Sequence, residues 1–312
     1  AARRLNDWLL APVAEYLTQQ HIEHLVVVPD GAIRLIPMAA LHDGQHYAIE
    51  KYAISMVTGM SMTNTNTPAQ KDVPALVAGL SSPGPVADKL GPLLAAQILN
   101  PDAEPGADSP VSRGLAQHAE LRAIRNLDVR AKAGDHTAVE STHETAHPLA
   151  EDVQTLRERL ALPGVSEEVR GVSDILGGQS LLNEEFTINR FRQAVKSGDY
   201  RILHIASHGI FGGNAETSFI MAYDDVLNMH GLQELLKTEK FQKTPIELLS
   251  LSACQTAEGN DRAPLGISGA AIKARAKSVL GTLWPVEDNA AKSLMQKLYA
   301  GLSLPKQGKA QA

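Results

Sequence analysis

Two short apolar runs end in residues that can do covalent chemistry: Tyr200 to Ala206 is followed by Ser207, His208 and Gly209, and Ile246 to Ala253 by Cys254, Gln255 and Thr256. Runs of this length with few charges are the pattern of strands buried on both faces of a parallel sheet. In such sheets ligands collect beyond the carboxyl ends of the strands. A thiol and an imidazole leaving neighbouring strand ends make a nucleophile and its proton acceptor, because the thiolate attacks and the imidazole manages its proton and that of the leaving amine. Gly209 has no Cβ, so its N–H can approach a developing oxyanion closely, and the N–H of Cys254 is the natural second donor. The competing reading of Cys254 is an inert packing residue, the usual fate of a lone cysteine after an apolar run. His204 sits inside its run and reads as a core histidine satisfied by a neighbour.

A second constellation competes. His143, Glu144 and His147 have the HExxH spacing that sets two imidazoles on one helical face for zinc, with Glu144 as base; Glu167 lies where a third ligand could. Against it, Pro148 biases His147 away from helical dihedrals. Residues 139–146 also hold one strongly apolar side chain, Val139, where a zinc-binding helix needs an apolar face to be held in a core. The zinc peptidase is the remote alternative, and neither a metal nor a cofactor is expected. His21 with His24, and His42 with His46, flank turns and read as solvated surface residues. Neither a P-loop nor a Gly-x-Gly-x-x-Gly motif occurs.

The elements that must position these residues follow from periodicity and turn signals. Strand-like runs cover His24 to Val28, Tyr52 to Thr58 and Ala75 to Leu80. Helical patterns cover Leu5 to Leu17, Val153 to Leu160 and Val169 to Leu176, and Thr187 reads as the N-cap of a further helix. Beyond it, the runs ending at Ala206, Ala253 and Leu283 alternate with helical segments Gly231 to Leu236, Gly266 to Lys277 and Asn289 to Ala300. That order predicts an α/β fold, a parallel sheet covered by helices. Residues 81–150 differ in character: they hold 7 of the 17 prolines, 9 acidic against 6 basic side chains and no aromatic residue. This composition predicts an insertion or mobile connector between an amino-terminal part, 1–80, and a carboxy-terminal part, 151–312.

Composition narrows the classes of function. With 44% hydrophobic and 21% charged residues, 312 residues can bury a substantial core. Twenty-nine Lys and Arg against 35 Asp and Glu give a net charge of -6. No basic run is long enough to track a phosphate backbone, so nucleic acid is not an expected partner. No apolar stretch approaches the roughly 20 residues that span a bilayer, so no membrane partner is expected. A single cysteine, with neither a signal peptide nor a CxxC pair, points to a reducing cytoplasm. A helical pattern that starts at the first residues suggests a piece of a longer protein.

The motifs resemble a known family, the CHAT proteases of the caspase and separase group of cysteine peptidases. His204-Ile-Ala-Ser-His-Gly-Ile-Phe211 resembles the family's histidine motif and Leu249-Ser-Leu-Ser-Ala-Cys-Gln-Thr256 its cysteine motif. Ser278-Val-Leu-Gly-Thr-Leu-Trp-Pro-Val-Glu-Asp288 is similar to the strand that follows. Leu25 to Gly31, Ile36 to Leu41 and Leu162 to Glu168 extend the likeness to everything except residues 81–150. The resemblance implies a caspase-like, mostly parallel sheet flanked by helices, with a degenerate amino-terminal half and a catalytic carboxy-terminal half. It implies a catalytic pair of His208 and Cys254, an oxyanion hole at Gly209 and Cys254, and a protein substrate. Because members commonly follow tetratricopeptide repeats, it also implies an upstream regulatory repeat region or partner protein. By likeness to separases, Asp288, with Glu287 beside it, is expected to bind a basic substrate side chain; the competing expectation is that Asp288 caps a helix beginning near Asn289. A family member that keeps the fold without activity, serving as scaffold or regulator, is the alternative function.

Overall fold

The computed structural model of the chain describes residues 1–57, 73–90, 149–210, 219–252, 276–282, 286–304 and 309–312. Near the amino terminus, α1 (Ala2–Leu9) and α2 (Ala14–Gln19) stand where the spacing predicts one helix through Leu5 and Leu17. Pro12 lies in a single 3-10 turn between them, Ala11–Val13, since an imino acid has no N–H to continue the ladder. Trp8 and Val13, which complete the predicted apolar stripe, are exposed. The strand β1 (His24–Val27), the one-turn helix α3 (Ala48–Lys51) and β2 (Ala53–Met56) follow. β1 and β2 pair in parallel, His24 opposite Ala53 and Val27 opposite Met56. Met38, Leu41 and Ala48 form a small core beneath them with Leu5, Leu9, Val27, Ile36 and Ile54.

The main sheet begins with β3 (Ala75–Gly79), whose five residues are all buried. Residues 81–90, assigned by composition to the connector, belong instead to the core. They form α4 (Val86–Lys89), and Val86 and Leu90 are buried in the same cluster as Leu80. Two apolar side chains thus outweighed the prolines around them. The helix α5 (Leu149–Arg159), whose first two residues were also assigned to the connector, packs on α4, and Arg157 gives Asp88 two bonds of 2.9 Å. Residues 91–148 of the expected connector, and with them His143, Glu144 and His147, lie outside the described residues.

Then come α6 (Pro163–Leu176), β4 (Gln179–Leu182), α7 (Ile188–Ser197) and β5 (Ile202–Ala206). Pro163 suits the first helical position because its missing N–H is an orphan there anyway, and Gly177 ends α6 at a φ of 62°. Thr187 caps α7 as expected, accepting from the Arg190 N–H at 3.3 Å. A small antiparallel hairpin sheet, β6 (Gly209–Ile210), β7 (Phe219–Met221) and β8 (Val226–Asn228), precedes α8 (Met229–Leu236) and α9 (Glu239–Lys243). Last come β9 (Leu248–Ser252), β10 (Val279–Gly281) and α10 (Asp288–Ser303).

The five strands β10, β9, β5, β3 and β4 lie side by side in that order, all parallel. Successive residues of each strand face opposite sides. Leu76, Ala78, Leu203, Ile205, Leu249 and Leu251 meet Phe191, Leu232, Leu236 and Phe241 of α7, α8 and α9. Ala75, Val77, Ile202, Ala206 and Leu248 meet Val165, Val169, Val172, Met295 and Tyr299 of α6 and α10. At the end of β3 the approach to α6 is close: a Cβ on Gly79 would lie 2.4 Å from Val169 Cγ2. Winding reverses at β3, with β4 on one side of it and β5 on the other. The switch point therefore falls between the adjacent β3 and β5, and in open parallel sheets the ligand crevice lies beyond the carboxyl ends of the strands at such a point. No helix among the described residues is long and apolar enough to cross a membrane.

Candidate active site

His208 stands at that crevice, two residues beyond β5. Its strand is fixed on both sides, by β3 through Ala78 opposite Ile205 and Gly79 opposite Ala206, and by β9 through Ala206 opposite Ser252. The β9 pairing runs one bond further, from the Ser207 N–H to the Ser252 carbonyl at 3.1 Å. The buried Ser207 hydroxyl donates to the Met221 carbonyl at 2.7 Å and the Met221 N–H to the His208 carbonyl at 2.9 Å. Backbone on either side of the imidazole is therefore held by the main sheet and by the hairpin.

The ring itself is 8% exposed, and its Nε2 lies 3.0 Å from the carbonyl oxygen of Leu160. A carbonyl can only accept, so Nε2 carries the proton and Nδ1 is left as the basic nitrogen. Burial holds the imidazole below its ordinary pKa, and the bond to Leu160 offsets part of that. Gly209 pairs with Ile220, and the neighbouring bond from Met221 to His208 makes theirs the non-hydrogen-bonded position of the ladder. That alternation turns the Gly209 N–H away from β7. Cys254, two residues beyond Ser252, lies outside the described residues, as do Trp284 and Pro285.

The remaining expected residues are engaged elsewhere. Glu287 is the N-cap of α10, accepting from Asn289 and Ala290 N–H groups at 3.1 and 2.9 Å, and these bonds hold its carboxyl below the usual range. Asp288, expected to bind a basic substrate side chain or to be that cap, is the first residue of α10 and not its N-cap, and its Oδ2 accepts from the Gly164 N–H at 2.6 Å. Leu162 gives α6 no side-chain cap, so Asp288 supplies one from a different helix. Burial raises the Asp288 carboxyl while the Gly164 N–H opposes this. Substrate binding by either acid would compete with these bonds. Glu167, the third zinc ligand of the rival reading, is exposed and bonds Lys292 at 2.7 Å.

His204 is fully buried, as expected, but its company is more polar than the apolar run around it suggests. Nδ1 lies 3.2 Å from the Tyr299 hydroxyl, and Nε2 lies 3.0 Å from Oε1 of Glu168, itself 1% exposed. Burial pushes the Tyr299 phenol well above its usual pKa. This cluster joins β5 to both helices of one face and does not reach His208. Sequence reading missed Glu168 because its position looks like any acid in a helical pattern. It missed Leu160 because a backbone carbonyl leaves no mark on residue type.

Comparison with protein families matches residues 1–312, the whole chain, to the CHAT domain. No curated protein matches it.

Proposed function

Because the chain belongs to the CHAT domain family, caspase-like domains related to cysteine peptidases, we propose that it is a cysteine endopeptidase acting on protein substrates through Cys254 and His208. One observation carries the reading: His208 is buried at the crevice where the sheet reverses, with Nε2 committed to Leu160 and Nδ1 left as a neutral base. Register supports the pairing, since Ala206 lies opposite Ser252 and His208 and Cys254 each follow two residues later.

His208 Nδ1 takes the proton of the Cys254 thiol. The thiolate forms a bond to the scissile carbonyl carbon, whose π electrons move to oxygen, met by the N–H groups of Gly209 and Cys254. Collapse breaks the C–N bond, and the amine leaves with the proton from Nδ1. Water then gives a proton to Nδ1 as its oxygen attacks the thioester carbon, and collapse breaks the C–S bond, the sulfur recovering the proton from Nδ1 as the acid product is released. An upstream repeat region or partner protein is the proposed regulator.

The chain has one cysteine, so any alkylation reads Cys254 alone. Fast labelling by a thiol-reactive probe in the parent, slowed at least tenfold in His208→Ala, is the expected result. Peptide hydrolysis should disappear in Cys254→Ala. Slow labelling that is the same in parent and variant, with no hydrolysis in either, would instead mark a scaffold.

A further inference from the structure

The segment from Leu160 to Gly164 joins α5 to α6 and holds His208 through one carbonyl. Leu160 itself is buried in the core, but the rest of the turn has no cap of its own, since Leu162 provides none and Pro163 has no N–H. Two side chains from elsewhere hold it. Asn183, just after β4, has a φ of 52°, in the left-handed region that asparagine tolerates better than most residues. Its Oδ1 accepts from the N–H groups of Ser81 at 2.9 Å and Ser82 at 3.0 Å, and the Ser81 carbonyl accepts from the Leu162 N–H at 2.8 Å. On the other side Asp288 holds the Gly164 N–H at 2.6 Å. A Cβ on residue 164 would lie 2.7 to 2.9 Å from the carboxyl atoms of Asp288, so this approach requires glycine.

We propose that Asn183 and Asp288 are positioning residues for His208: they clamp the turn between Leu160 and Gly164 from its two sides and thereby aim the Leu160 carbonyl at Nε2. Neither touches the imidazole. Asn183 acts through Ser81 and Leu162, and Asp288 through Gly164, so the ring keeps its tautomer only while both ends of the turn are fixed. The consequence for turnover rests on the peptidase reading; the consequence for the ring does not.

The test is the His208 ring in the full chain, followed by long-range nitrogen NMR with labelled histidine, in a Cys254→Ala background and with His208→Gln to assign the signals. The parent should show the Nε2–H tautomer. Asn183→Ala and Asp288→Ala should each turn it into a mixture, while Asp288→Asn, which keeps an acceptor oxygen, should restore the parent signal. Should Asp288→Ala not fold, Asp288→Glu displaces the carboxylate by one methylene and gives the same readout. Asp43→Ala, which removes the bonds to the Gln45 and His46 N–H groups in the amino-terminal part, should leave the ring unmoved. Variants at Asn183 and Asp288 that lose stability yet keep the parent tautomer overturn the proposal, as does a ring disturbed equally by Asp43→Ala. With Cys254 restored, the two alanine variants should lower kcat about tenfold or more with KM within about twofold. A chain that hydrolyses nothing removes the peptidase reading and leaves the ring result standing.

Discussion

His208 and His204 share a strand, four residues apart, and differ in what surrounds them. For His208 the sign of its pH dependence follows from burial. Its folded pKa lies below the ordinary 6.5, so between the two values the unfolded chain binds a proton that the folded chain does not. Stability from this group is present in full above about pH 6.5 and is lost as pH falls through the lowered folded value. Urea midpoints measured from pH 8 to pH 5 should therefore fall less steeply in His208→Gln than in the parent; equal slopes would mean that the imidazole is not held neutral by the fold. At His204 the expected effect is on stability. His204→Ala leaves the buried Glu168 carboxyl without its neighbour, a change that costs on the order of 1–3 kcal/mol for an orphaned polar group, and Tm should drop while turnover per folded molecule changes little. Types and spacing put His208 just past its strand and His204 inside it, and the structure buries His204 against Tyr299 and Glu168. The atoms that tune each ring were not visible, because a carbonyl from 48 residues away and a glutamate on a facing helix reach them only once the chain has folded.

Among the elements, the strands β3, β5 and β9, buried on both faces, announced themselves as apolar runs, and the half-buried edge strand β10 also falls within its expected stretch. β4 was not expected, because as an edge strand it opens with exposed Gln179 and Ser180 and offers the core only its last two residues, buried Leu181 and half-buried Leu182. The hairpin strands are two or three residues long, too short for a period to register. Helix α6 begins at Pro163, six residues before its clear apolar pattern at Val169, since its first turn is held by tertiary contacts to Asp288 and Gly79. Those contacts make two separable predictions. Gly79→Ala drives a methyl into Val169 and Val165, so it should destabilise by about 1–3 kcal/mol, read by denaturant midpoint. Glu287→Ala removes two bonds from the exposed first turn of α10 and should lower the midpoint less than Gly79→Ala does. If Gly79→Ala proved the milder of the two, the close packing of β3 on α6 would not hold in solution.

At the scale of the whole molecule, β3 lies between β4 and β5 although a long stretch of chain separates it from both. A backbone cut between residues 91 and 148 therefore leaves its two pieces joined by two parallel strand pairings, by Val86 and Leu90 in the core and by the Asp88 to Arg157 pair. A protease site engineered at residue 110 should give fragments that co-elute at the parent's size on gel filtration and separate only in denaturant; separation under native conditions would contradict the strand order. The same placement sets a schedule for the growing chain. A ribosome finishes β3 a hundred residues before it reaches Gln179, roughly 5 to 20 s at common rates of synthesis. Throughout that interval Leu76, Val77 and Ala78 have no neighbouring strand to shield them, and the nascent polypeptide carries an unmatched apolar edge on both sides.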